Sequence, residues 1–193
     1  MTTDTTTDSS ADTTTEATAD TTLQVTADTT TEAARGAPAL TVRPVPPEVL
    51  AALRTADDAG RIPEPFTDDE GGAPLRCCLR RSRPGERIAL VSYVPLHRWT
   101  AATGARPGPY DEPGPVFVHA DACQGPDGDA LPFTDAHRVL RRYCADGRIL
   151  GGELVGPGWG TGELRKAFDD PVVALVHVRA VEYGCFLYEV TRV

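Results

Sequence analysis

The sequence has no uninterrupted apolar run approaching the roughly 18 residues that a membrane-crossing helix needs, so no such helix is expected. Its first residues hold neither a basic cluster nor an apolar stretch, so no signal peptide is expected either. Aromatic residues make up only 6% of the chain. There is no Gly-x-x-x-x-Gly-Lys-Ser/Thr phosphate loop: the glycines at Gly156, Gly158, Gly160 and Gly162 lack the lysine and the spacing. No Gly-x-Ser-x-Gly nucleophile elbow and no Cys-x-x-Cys knuckle occur. The chain also lacks a basic excess. Its net charge is −9, which argues against nucleic acid, because phosphate binding wants a net positive face.

The five cysteines are an odd number and no export signal accompanies them. They are therefore read as reduced thiols in a cytoplasmic protein, not as a disulfide framework.

Residues 1–37 are dominated by Thr, Asp, Ala and Glu. Ala-Asp-Thr-Thr begins at Ala11, Ala19 and Ala27, and after Met1 the only bulky apolar side chains are Leu23 and Val25. Such a stretch buries too little surface to offset the entropy of ordering it, so a disordered N-terminal tail is expected. Residues 1–36 hold five Asp and two Glu against one Arg, so the tail takes six of the nine net negative charges. The remainder, 38–193, is nearly balanced and long enough for one domain with its own core.

Within that domain, Pro46-Pro47 before Val49, Leu50 and Leu53 predict a helix from Pro47 to about Ala59. The Pro- and Gly-rich stretch from Ile62 to Pro74 reads as loop. Leu75–Arg81 and Ile88–Val94 around Arg83-Pro-Gly-Glu86 read as a hairpin. Pro95–Pro115, containing Trp99 and Tyr110, reads as a long loop suited to binding. Val116–Ala120 is a short strand. Val139–Cys144 and Ile149–Val155 flank the tight-turn signal Asp146-Gly147. A short helix is expected over Glu163–Phe168, and a last hairpin over Val172–Arg179 and Cys185–Arg192. Together these predict an α+β fold: a mainly antiparallel sheet, or a partly closed barrel, with a few short helices.

Four blocks then stand out in order. They are Arg76-Cys-Cys-Leu-Arg-Arg-Ser-Arg-Pro-Gly-Glu-Arg-Ile-Ala-Leu-Val-Ser-Tyr93, Gly114-Pro-Val-Phe-Val-His-Ala-Asp-Ala-Cys123, Asp146-Gly-Arg148, and Val176-His-Val-Arg179 with Tyr183-Gly-Cys-Phe186. In this arrangement the chain, from about Leu40 to Val193, resembles the bacterial family DUF1203, a domain of unknown function. The resemblance implies kinship and no catalytic residues, so the chemistry has to come from the side chains.

Three arrangements carry chemistry. In a strand, alternate side chains share a face, which puts Cys77 with Leu75 and Leu79 and puts Cys78 between Arg76 and Arg80. Cys77 then reads as core. Cys78, beside two guanidinium groups, reads as a thiol with a lowered pKa, or else as a second structural thiol. A thiol- or metal-dependent enzyme would use Cys78 with His119 or His177. A metal site would draw on His119, Cys123, His177 and Cys185, whose residue types suit tetrahedral zinc. Against it, Cys77 and Cys78 would point to opposite faces, so no cofactor is expected. Finally, a hairpin turn near Glu182 would set Arg179 opposite Cys185 and gather His177, Arg179, Cys185 and Glu189 on one polar face. That face either is solvated or, with Arg76 and Arg80, binds an anionic small molecule or a protein partner. The preferred reading is such a binding module.

Overall fold

The computed structural model describes residues 39–128 and 130–193; the tail expected over 1–37 lies outside the described residues. The chain begins with strand β1 (Leu40–Arg43) and helix α1 (Pro47–Thr55), which starts on the two prolines and buries Leu50 and Leu53. Strands β2 (Phe66–Asp68) and β3 (Glu86–Tyr93) follow. Then come helix α2 (Pro95–Thr103), a single 3-10 turn (Gly108–Tyr110) and strand β4 (Gly114–His119). The remainder is β5 (Arg138–Cys144), β6 (Ile149–Val155), α3 (Thr161–Ala167), β7 (Val173–Ala180) and β8 (Phe186–Arg192).

The strands form two antiparallel sheets, one of five strands in the order β1-β8-β7-β5-β6 and one of three in the order β2-β3-β4. The α+β expectation holds, and the sheets stay open instead of closing into a barrel. The β5–β6 hairpin forms where Asp146-Gly147 predicts it, with Gly147 at φ 79°, a left-handed conformation that glycine adopts without strain.

Both faces of the larger sheet are covered. On one face Leu140, Val176, Val178, Tyr188 and Val190 pack with Leu164, Ala167 and Phe168 at the α3 end. On the other, Tyr143 and Leu175 pack with Leu96 of α2. Phe186 joins a third apolar cluster made of α1, β3 and β4 residues, including Leu53, Ile88, Val91 and Val118. Phe186 thus links the two sheets. Each such side chain removed from water is worth about 1.5–3 kcal/mol, so this interlock holds the sheets together.

Four local expectations are corrected. Leu75–Arg81 does not pair with β3. It forms a tight turn, Leu75 N–H donating to Arg80 O and Leu79 N–H to Leu75 O, with Leu79 at φ 55°. The partner of β3 is instead Phe66–Asp68, inside the stretch expected to be loop, through Phe66 opposite Ile88. The expected long loop from Pro95 contains α2, with proline at the first helical position, where its missing N–H costs nothing.

The fourth correction concerns β7 and β8. A bulge between Val178 and Arg179 sets Val178 opposite Tyr188 but Arg179 opposite Phe186, with Leu187 as the extra residue. Phe186 thereby moves to the His177 side, 5.0 Å from its ring. The face expected to be polar is an interior surface.

Candidate metal centre

The turn over residues 75–80 is fixed to β4. Leu75 bridges Phe117, and Arg76 N–H donates to Phe117 O at 2.9 Å. Two residues further along β4, His119 reaches the same turn. Because the chain here turns instead of extending, Cys77 and Cys78 do not point to opposite faces. Their sulfurs lie 3.9 Å apart. Nδ1 of His119 is 3.2 Å from Cys77 Sγ and 3.8 Å from Cys78 Sγ. The backbone N–H of His119 also donates to Cys77 Sγ, at 3.3 Å. β4 ends at His119, and the loop that follows carries Cys123 back to the group. One ligand atom from each of Cys77, Cys78, His119 and Cys123 lies within 4.8 Å of every other.

The segment around His119 is clamped from two sides. From α1, Arg54 donates Nε to His119 O at 3.1 Å and Nη2 to Asp121 O at 2.7 Å. From β3, Glu86 Oε2 stands 3.5 Å from His119 Nε2. Glu86 is itself held by both terminal nitrogens of Arg80, at 2.9 and 2.7 Å, and by the Arg83 backbone N–H at 2.9 Å. The Arg80 bidentate pair keeps the Glu86 carboxyl ionised, down to about 2. Arg80 Nη2 stands 3.4 Å from the same nitrogen, so Glu86 and Arg80 together flank the Nε2 side of the ring while Nδ1 faces the sulfurs.

The two adjacent thiols differ. The hydrogen bond from Cys78 lowers Cys77, assisted by the His119 backbone N–H and opposed by burial. The same hydrogen bond, then burial, pushes Cys78 far up. The two thiols are coupled, and of the pair Cys77 is the one that ionises more readily. Cys77 is buried in the core as the sequence suggests, and of the two readings of Cys78 the raised pKa favours the structural thiol. The guanidinium groups expected beside Cys78 are engaged elsewhere, Arg80 with Glu86 and Arg76 with the carbonyl of Phe186.

A cleft of about 380 Å³ opens beside the cluster, lined among others by Cys78, Arg80, Glu86, His119 and Cys123. Tetrahedral zinc places sulfur at about 2.3 Å and nitrogen at about 2.0 Å from the ion, hence ligand atoms roughly 3.5–3.8 Å apart. The Cys77, Cys78 and His119 spacings of 3.2–3.9 Å are close to that pattern.

The other expected site residues are distributed differently. His177 is fully buried, its ring 4.7 Å from Tyr143 and 5.0 Å from Phe186, and neither ring nitrogen has a hydrogen-bond partner among the described residues. Burial, then the nearby Arg179 and Arg141 charges, drive it well below the ordinary histidine range, so it is neutral. Arg179 donates Nε to Gly184 O at 2.7 Å and pairs with Glu112 at 2.8 Å, so its anion-binding capacity is met within the chain. Cys185 lies in a different cleft, with Arg76. Of the set His119, Cys123, His177 and Cys185, only the first two come together in this cluster; Cys77 and Cys78 complete the group. Sequence reasoning missed Cys77 and Glu86. The signal available for the first was the Cys-Cys pair ahead of His119 and Cys123.

Fold and site together define an α+β domain of two antiparallel sheets that carries a three-thiol, one-imidazole cluster at the end of the smaller sheet. Residues 72–192 match the family described as a protein of unknown function, DUF1203, and the chain belongs to that family. No curated protein and no solved structure matches the chain. Among the described residues, no helix is long and apolar enough to cross a membrane.

Proposed function

We propose that this domain binds a thiophilic divalent ion of the zinc class through Cys77, Cys78, His119 and Cys123. The observation that carries the reading is the convergence of four ligand atoms of the right chemistry within 4.8 Å. They come from a turn, a strand end and a loop, so one ion would tie together three segments that meet at the edge of one apolar cluster. Four protein ligands fill a tetrahedral shell, which suits a structural ion and leaves no position for a metal-bound water. Glu86 supports the reading as the partner that orients the imidazole from its far side. The ion would also stabilise both thiolates, removing the inequality between Cys77 and Cys78.

One observation favours a second reading, that of a thiol enzyme. Cys77 is the more readily ionised of the two thiols, with His119 Nδ1 at 3.2 Å. In that reading Cys77 is the nucleophile in place of Cys78.

Elemental analysis of natively purified protein, with a count of accessible thiols, tests the proposal. The expected result is about one zinc per chain, with Cys77 and Cys78 shielded until a chelator is added. Cys123→Ala should lose the ion. A protein that carries no zinc and develops no thiolate-to-cobalt absorption when cobalt(II) is supplied would overturn the reading and leave the thiol enzyme.

A further inference from the structure

The turn that gives Cys77 and Cys78 to the cluster gives Arg76 to a different place. Arg76 is 2% exposed. Its Nε donates to Phe186 O at 2.8 Å and its Nη1 to Pro74 O. No carboxylate comes within ion-pair distance of it among the described residues. A second guanidinium, Arg138, is 3% exposed. Its Nη1 donates to His137 O at 2.7 Å, while its Nε has no partner among the described residues. Its nearest carboxylates, Asp135 at 3.6 Å and Glu182 at 3.9 Å, lie beyond hydrogen-bond distance and are both more than half exposed.

Both arginines line one cleft of about 560 Å³ between the two sheets. Leu90, Pro115 and Phe117 come from the smaller sheet, and Leu187 from the larger. The size suits a small organic ligand. Arg81 lines the cleft too, against Glu182 as the sole acidic residue among its lining. Arg76 has no counter-ion among the described residues and Arg138 has only two largely exposed ones; a carboxylate is the natural partner of both, because a guanidinium presents paired donors to it. The apolar walls would hold the rest of such a molecule out of water.

We propose that the cleft between the sheets binds a small organic monoanion with an apolar body, its carboxylate taken by the buried Arg76 and Arg138. An inorganic anion would satisfy the charge and leave the walls wet; a neutral apolar molecule would do the reverse. The site is separate from the metal centre and does not depend on it.

Isothermal titration of the full chain with octanoate, octanol and inorganic phosphate tests the proposal. Octanoate should bind saturably at one site, with octanol and phosphate at least about tenfold weaker. Arg138→Gln should weaken octanoate by about tenfold or more. Leu90→Glu should do the same by placing a negative charge on the cleft wall, at a residue 48% exposed whose change leaves the core intact. Leu90 is not among the residues lining the cleft beside the cysteines, so its effect also separates this site from a carboxylate ligating a metal ion. Absence of saturable octanoate binding, phosphate binding as tightly as octanoate, or unchanged octanoate affinity in folded Leu90→Glu would each overturn the proposal.

Discussion

Glu86 Oε2 stands 3.5 Å from Nε2 of His119, on the side of the ring facing away from the cysteine sulfurs. The carboxylate is fixed by Arg80 and by the Arg83 backbone, so it orients the imidazole without being free to follow it. A carboxylate behind a ligating histidine fixes the ring and raises its basicity. Glu86→Gln keeps the shape and removes the charge. Zinc affinity, measured by competition with a chromophoric chelator, should fall about 10- to 100-fold, while zinc still binds at saturation. An unchanged affinity would show that Glu86 serves only Arg80.

The unequal thiols give a second prediction, for metal-depleted protein. Cys77 is held below the usual thiol range by the Cys78 hydrogen bond, and Cys78 is pushed well above it. Alkylation followed by peptide mass spectrometry should therefore modify Cys77 at a lower pH than Cys78. Cys78→Ala removes the donor and should move the Cys77 profile to higher pH. If Cys78 is alkylated first, or if Cys78→Ala leaves the Cys77 profile in place, the ordering of the two thiols is wrong.

His177 supplies a pH dependence of stability. It is buried and neutral, with Tyr143 and Phe186 against its ring, Arg141 and Arg179 nearby, and Glu189 opposite it in the strand register. Its folded pKa lies below the unfolded value of about 6.5. The unfolded chain therefore binds more protons between those two values, and stability falls as pH drops through that window. The slope from this one group reaches at most about 1.4 kcal/mol per pH unit. Glu189 has the opposite sign: burial raises its pKa, so protonation there favours the folded state, in the carboxylate range. Denaturant unfolding of wild type and His177→Leu between pH 7 and pH 5 should show a flatter profile for the variant. Parallel profiles would mean that His177 is protonated equally in both states.

The legible parts of the fold were those with a local cause. Asp146-Gly147 specifies its hairpin because a left-handed turn residue is needed there. Pro46-Pro47 with Leu50 and Leu53 specifies α1. The α2 signal was present in the same form, Pro95 ahead of Leu96 and Trp99, but the surrounding Pro and Gly masked it. The turn at Leu75–Arg80 was not legible. Its alternation of apolar and basic residues matches a strand, and nothing in a leucine announces the left-handed backbone that Leu79 adopts. The site was misread for that one reason. A strand separates Cys77 from Cys78, whereas the turn brings their sulfurs together. The bulge at Leu187 similarly converted an expected polar face into the interior around His177.

Arg76 and Cys77 are neighbours in the chain, yet one lines the cleft between the sheets and the other sits in the thiol cluster. The peptide joining them is a partition wall one residue thick. A single inserted or deleted residue there would put each side chain out of register with its own compartment at once. The two compartments are therefore coupled through the length of this turn, which cannot be transplanted as a metal loop without carrying half of the cleft with it.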